Sequence, residues 1–135
     1  MRYFWTVKVI RFIPILFTIG ILISMYLYPG GNIHDPLQTG YSFTHNFLSD
    51  LGGMDSRSGE SNIVSSYIFN ACMISFFLGG IAFLYVPGLF KNDRTNYYLA
   101  IIGSMFFFLG ASFFAGVGFT PHDLYLDQHI FFAIN

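Results

Sequence analysis

Two groups of side chains in this sequence have the types and spacing for chemistry: His45, Ser49 and Asp50, and then His122, Asp123 and His129. Imidazoles and carboxylates together can bind a divalent metal, and a bound metal activates water. The candidate ligands are His45, Asp50, His122 and His129. His45 and Ser49 are spaced i, i+4, as are Asn46 and Asp50, which makes each pair neighbours on a helix surface. His122 and His129 are seven apart and share one face of a helix that begins at Pro121. Two kinds of chemistry fit: proton or ion handling, and metal-dependent hydrolysis. No H-E-x-x-H or HxxxH spacing is present. The plainer alternative is that these residues cap helices, pair with one another and face water. A serine nucleophile can be drawn from Ser49, His45 or His122, and Asp50, but nothing like G-x-S-x-G surrounds Ser49.

These residues must be positioned by elements of an unusual composition. The chain has 135 residues, enough for a single domain, of which 54% are hydrophobic, 21% aromatic and 10% charged. An average soluble domain carries about 25% charged residues. So apolar a chain cannot cover a water-facing surface, and its aromatic content excludes disorder. A net charge of -1 without a basic stripe argues against a nucleic-acid partner. Cys72 is the single cysteine, which excludes an internal disulfide and a cysteine-rich zinc site. What remains is an all-α, multi-pass transmembrane helical bundle whose partner is the lipid bilayer. Protein partners are not indicated, nor is any cofactor beyond a divalent metal at the candidate ligands.

The apolar runs predict three complete spans, at about 10–28, 63–86 and 97–119. Pro14 falls in the first turn of the first run, and Pro29-Gly30-Gly31 ends it. This run is long for a signal peptide and lacks an A-x-A-like cleavage site. Thr120-Pro121-His122-Asp123 resembles a helix start, so a fourth helix should begin near 121–129. It is cut short after Ile130–Ile134. The expectation is an N-terminal fragment of a longer protein, or a re-entrant stub. Residues 30–62 form the outer loop. Within it, Phe43, Phe47, Leu48 and Leu51 fall at helical spacing before Gly52-Gly53, which predicts a short amphipathic helix at about 43–51, with Phe47 and Leu51 buried and a positive φ at Gly52 or Gly53.

Charge predicts the orientation. Arg2, Lys8, Arg11, Lys91 and Arg94, five of the six basic residues, lie on one side of a three-span path, with Arg57 alone on the other. Short basic loops stay cytoplasmic, so the N-terminus should be cytoplasmic and the membrane the inner or plasma membrane. All four histidines and every acid except Asp93 then lie outside. Ser75/Gly79 and Ser112/Gly116 are small-xxx-small pairs for close helix approach. Asn70 and Ser104 should hydrogen-bond to a neighbouring helix, and Cys72 should be a small core residue. Tyr26, Tyr28, Tyr85, Tyr97 and Tyr98 should be interfacial anchors.

Several of these motifs form a pattern together: Pro29-Gly30, then His45-Asn46-Phe47-Leu48-Ser49-Asp50-Leu51-Gly52, Tyr67-Ile68-Phe69-Asn70, Gly116-Val117-Gly118-Phe119-Thr120-Pro121, and His129. The pattern resembles the domain of unknown function 998 family, multi-pass membrane proteins of bacteria and archaea. That resemblance implies a bundle of about six helices, of which this chain would hold the first half, and implies no activity. A more distant likeness is to the eukaryotic autophagy-modulator membrane proteins, although Leu51 stands where those have Thr. The activity expected is that of a non-enzymatic membrane component, a sensor, lipid-interacting or transport-associated protein. The alternative is a metal-dependent intramembrane hydrolase with its site on the outer face. In either case the two groups of candidate residues should converge, because their segments leave the membrane on the same side.

Overall fold

A chain in hydrocarbon has no water to satisfy its backbone, so apolar runs of this length are forced into helices. A computed structural model describes residues 2–134 and is all-α among them: α1 spans Arg2–Leu27, α2 Ile63–Phe83, α3 Arg94–Phe119 and α4 Leu126–Ile134. Two short 3₁₀ turns, Leu48–Gly52 and Val86–Phe90, complete the order. Three segments, Thr6–Leu27, Ile63–Phe90 and Arg94–Phe119, are long and apolar enough to cross a membrane.

Each boundary that differs from expectation has a local cause. α1 begins at Arg2 rather than near 10, because the apolar run marks the hydrocarbon crossing and not the helix, and Lys and Arg are good helix formers. Pro14 is therefore inside α1 rather than in its first turn, and Thr18 Oγ1 donates to the Pro14 carbonyl at 2.9 Å. α3 begins at Arg94 because Asp93 caps it, accepting from the Asn96 N–H at 3.0 Å. α4 begins at Leu126 and not at Pro121. The Pro121 carbonyl accepts from both Leu124 N and Tyr125 N, closing a turn before the helix can start.

α2 lies between α1 and α3, and α4 packs on α3. Small residues set these approaches, and of the expected pairs the glycines do so and the serines do not: Gly79 lies against Ile13 of α1. Ser75 and Ser112 turn back on their own helices, to Cys72 O at 2.6 Å and Phe108 O at 2.8 Å. Gly20 of α1 faces the Cys72 thiol, Gly80 faces Ala111 and Phe108 of α3, and Gly118 faces the Asn70 carbonyl and Met73. Gly116 receives the Phe132 ring from α4. Ser104 crosses to Phe83 O at 2.9 Å, as expected. Stacked rings, Phe76 on Phe114 at 5.3 Å and Phe83 on Phe107 at 4.3 Å, fill the rest of the α2–α3 seam. Ile15, Ile19, Leu22, Ile102, Met105 and Phe106 point outward, as a lipid-facing surface requires.

The buried core gathers Ile21, Tyr28, Leu51, Phe69, Cys72, Met73 and Val117, with Phe17 and Phe132 against it. Tyr28 is thus a core residue, not an interfacial anchor, whereas Tyr26, two residues earlier, is exposed. The cluster includes Leu51, from outside the spans, so the loop between α1 and α2 is clamped onto the bundle as a cap.

The glycine seams give a direct test. A methyl at Gly80 would lie 2.8 Å from the Ala111 methyl, while one at Gly110 would meet nothing within 4 Å. Gly80→Ala should destabilise by about 1–3 kcal/mol through overpacking. Gly110→Ala should be neutral or stabilise by up to about 1 kcal/mol through helix propensity. Unfolding of the detergent-solubilised variants measures both.

Candidate functional site

The cap, residues 28–62, is built around carbonyls and amides that helices would otherwise pair. Gly31 adopts φ 78°, and a Cβ there would lie 2.2 Å from Ser58 N, so only glycine lets the two loop strands touch. Gly31 N donates to Gln38 O at 2.7 Å, Gly40 N to Pro29 O at 3.0 Å, and Ser58 N to Gly30 O at 3.1 Å. The expected amphipathic helix at 43–51 is replaced by a turn at 43–46 followed by the 3₁₀ turn Leu48–Gly52. Phe47 is 58% exposed and only Leu51 is fully buried. Gly53 has φ -69°, and the positive φ values fall instead at Gly30, Gly31, Gly40 and Gly59. The cause is Asp50: its carboxylate takes the Phe47 N–H at 3.0 Å, a local side-chain bond that competes with the α-helical ladder.

Asp50 is 1% exposed. Its Oδ2 accepts from Phe47 N and from Asn46 Nδ2, both at 3.0 Å, and its Oδ1 accepts from Arg57 Nε and Nη2, both at 2.9 Å. Four donors thus saturate a buried charge. The Asn46–Asp50 spacing was legible as a pair. Arg57 was visible only as the one basic residue of the outer loop. Asn46 also donates to Gly31 O at 2.7 Å, and the Arg57 N–H donates to the Tyr28 hydroxyl at 3.0 Å, so both ends of the loop are tied to this carboxylate.

Beneath Asp50, the carbonyls of residues 51–53 are received by a polar stripe on α2. Asn62 Nδ2 donates to Leu51 O at 3.1 Å and Gly53 O at 2.8 Å, Ser66 Oγ to Gly52 O at 2.7 Å, and Asn70 Nδ2 to Gly52 O at 3.1 Å. Asn62 stands at the N-cap of α2, yet its side chain serves the loop and not the helix end. Asn70 bonds to the cap rather than to a neighbouring helix. Ser65 continues the stripe to α1, with Ser24 and Ser65 hydroxyls 2.8 Å apart. These partners were not read from the sequence as a set. Their signal was the spacing of polar residues 62, 66 and 70 on one face of an apolar helix.

The second candidate group arrives from the α3–α4 turn. Asp123 Oδ2 accepts from Met54 N at 2.6 Å and Asp55 N at 3.0 Å. The His122 ring packs on Gly53, where an added Cβ would lie 2.6 Å from its Cε1. His129 is buried, 5.9 Å from His122 between ring centroids, and its Nδ1 donates to Thr120 O at 2.6 Å. That bond leaves Nε2 as the lone-pair nitrogen of the neutral ring. Burial pushes the His122 imidazole below its ordinary range, and Arg57 adds to this, against Asp123 and Asp50. His122, Asp123 and His129 are therefore gathered against the Asp50 cap.

His45 is not part of this gathering. It is exposed, with Nδ1 2.8 Å from Thr44 Oγ1 and its ring 6.3 Å from that of His34. Ser49 is half-buried on the 3₁₀ turn, and no Ser49–His45 helical pair forms. Among the described residues no three His, Cys, Asp or Glu side chains are arranged to hold a metal ion. Three buried polar atoms have no hydrogen-bond partner among the described residues: Asn62 Oδ1, Asn70 Oδ1 and His122 Nδ1. All three belong to residues lining the Gly52-Gly53 segment. Comparison with protein-family models, curated proteins and solved structures finds no match to this chain.

Three outcomes follow. Asp50→Asn places an amide N–H₂ among donors and should destabilise by about 3 kcal/mol, the scale of a broken buried pair. Arg57→Gln should cost about 1 kcal/mol, since Arg57 is 36% exposed and water can replace it. Thermal unfolding at neutral pH separates the two. For His122, a lowered folded-state value means that the unfolded chain binds the proton more readily. Stability is then full above about pH 6.5 and falls as pH drops from there towards the folded value. His122→Gln should remove this acid-side loss, read as the difference between the two melting curves from pH 7.5 to 5.

Proposed function

We propose that this chain is a non-enzymatic, multi-pass component of the inner or plasma membrane, with its N-terminus in the cytoplasm and the Asp50-centred cap on the outer face. The reading places it with the domain of unknown function 998 proteins that it resembles, as the sensor or transport-associated part of a larger assembly. The observation that supports it most is the condition of Asp50. A carboxylate that acts as base, nucleophile or metal ligand must offer a lone pair to its substrate. Asp50 instead gives both oxygens to four donors of the cap itself. Asp123 is likewise engaged by two backbone N–H groups. Such a site is a rigid platform. What it presents outward is a shaped loop surface with His34, His45 and Phe43 exposed.

A second reading, a metal-dependent hydrolase of the outer face, draws on the unpartnered His122 Nδ1 and its closeness to His129. Two imidazoles give fewer ligands than the three a catalytic zinc takes from a protein. Metal analysis of the purified full-length protein separates the readings. The platform reading expects no stoichiometric metal. One zinc per chain, lost in both His122→Ala and His129→Ala, would overturn it. The orientation has its own test. Thr39→Cys and Asn92→Cys, each in a Cys72→Ala background, should label oppositely with a membrane-impermeant maleimide in intact cells, the first strongly and the second not at all.

A further inference from the structure

His34 belongs to neither candidate group, yet it stands beside His45 on the surface of the cap. We propose that these two imidazoles form a binding site for one divalent transition-metal ion, with water completing its coordination. Both side chains are exposed, and their ring centroids lie 6.3 Å apart with the ring planes at 87°. Two imidazoles on one tetrahedral metal, each nitrogen about 2.0–2.1 Å from the ion, have centroids about 5 Å apart. The remaining gap of about 1 Å is closed by small side-chain rotations, which exposed residues make freely. Imidazole nitrogen suits Cu²⁺, Ni²⁺ and Zn²⁺, whereas Mg²⁺ and Ca²⁺ take oxygen. His45 Nδ1 lies 2.8 Å from Thr44 Oγ1 and 3.3 Å from Ser42 Oγ. With Nδ1–H donated to a hydroxyl, Nε2 carries the lone pair that a metal takes, and the ring is oriented for it.

The cap holds both backbones in place. The buried Asn32 accepts at Oδ1 from His34 N at 2.7 Å and from Asp35 N at 2.9 Å. Its Nδ2 donates to Gln38 Oε1, and Gln38 Nε2 donates in turn to Gly40 O at 3.1 Å and Asn46 Oδ1 at 3.4 Å. Asn46, next to His45, also accepts from Ser42 N at 3.0 Å and donates to Asp50 Oδ2 at 3.0 Å. One chain of amides therefore joins the loop of His34 and the turn of His45 to the Asp50 centre. Ligands held in advance lose less conformational freedom on binding, and a metal bridging the rings ties together two segments that are already linked. No carboxylate completes the set. Asp35 Oδ1 accepts from Leu37 N at 2.9 Å, and no group of three His, Cys, Asp or Glu among the described residues could hold a metal. Two ligands hold an ion reversibly, so protein purified in chelator carries none at this site. The site gives the sensor role a ligand class and rests on the proposed function only for its outer-face location.

The tag-free full-length protein in detergent, stripped with chelator and titrated with Cu²⁺, tests this. One Cu²⁺ per chain should bind with an electron paramagnetic resonance spectrum of two coordinating nitrogens, and a large excess of Mg²⁺ should not displace it. His34→Ala and His45→Ala should each weaken binding by about ten-fold or more, since removing even a ligand's hydrogen-bond partner costs about that much. Each should also reduce the nitrogen signature to one. Both residues are exposed, so the variants keep the fold. No saturable binding by the wild type, binding unchanged in both variants, or binding lost in His122→Ala but kept in His34→Ala overturns the site. Zinc held by His122 and His129 would overturn the platform reading and leave Cu²⁺ at His34 and His45. Reversed maleimide labelling would overturn the orientation alone and leave the detergent result intact.

Discussion

A carboxylate taken out of water must have its lone pairs occupied, and much of the cap follows from how Asp50 meets that demand. In its buried position, a missing donor would leave an uncompensated charge. The chain supplies Phe47 N from one residue turn back, Asn46 from the same turn, and Arg57 from seven residues on. Each donor fixes a further segment: Asn46 holds Gly31, and Arg57 holds Tyr28. The 3₁₀ geometry at Leu48–Gly52 is one more consequence, because an α-helix through Phe47 would require its N–H for the ladder. Leu51 is then directed into the core with no exposed surface. One charge therefore orders a long connection that has few apolar residues of its own to bury.

The spans obey a different constraint. Lipid is as apolar as their side chains, so burial of apolar surface distinguishes poorly between one helix arrangement and another, and close packing decides. Gly20, Gly80 and Gly118 let backbones approach where any larger residue would collide. The polar residues of α2 that reach the loop carbonyls, Ser65, Ser66 and Asn70, lie at the end that meets the cap, while Ser75 turns back on its own helix. In α3, Ser104 is satisfied across a seam, whereas Ser112 bonds back to Phe108 O of its own helix.

This division explains what was legible in the sequence. The three spans were readable because length and hydropathy are properties of a single segment. Helix ends were less so: α1 continues back to Arg2 and α3 begins at Arg94, beyond the apolar runs, and Pro121 opens a turn where a helix start was expected. The segment 43–51 has helical spacing of apolar residues, but the pattern cannot show that Asp50 will capture the Phe47 N–H. The candidate site was half legible. Asp123 and His122 reach the backbone of Met54, Asp55 and Gly53, just after Asp50, and His129 lies beside His122. His45 carries the same chemical signal as His122 and lies elsewhere. Of the residues that receive the cap, Asn62, Ser66 and Asn70, only Asn70 stood out in the sequence, as an interhelical polar group. Their common target, the carbonyls of 51–53, is a property of the fold and of no single window.

The same geometry determines how α4 enters the bundle. On α3, Gly116 accommodates the Phe132 ring and Phe113 packs on Phe131 and Phe132. Polar bonds do the rest: Asp123 is fixed by the backbone of Met54 and Asp55, His122 by its packing on Gly53, and His129 by Thr120. The turn that launches α4 is thus referenced to the cap as well as to α3, and the cap is referenced to α2 through Asn62, Ser66 and Asn70. Displacement of Gly52-Gly53 would be felt at both. Because His122 packs on that segment with a buried Nδ1 that has no partner among the described residues, protonating it would bring a second positive charge towards Arg57. The cap and the start of α4 therefore form one mechanical unit, joined at Gly52-Gly53 to α2 on one side and to the His122 turn on the other.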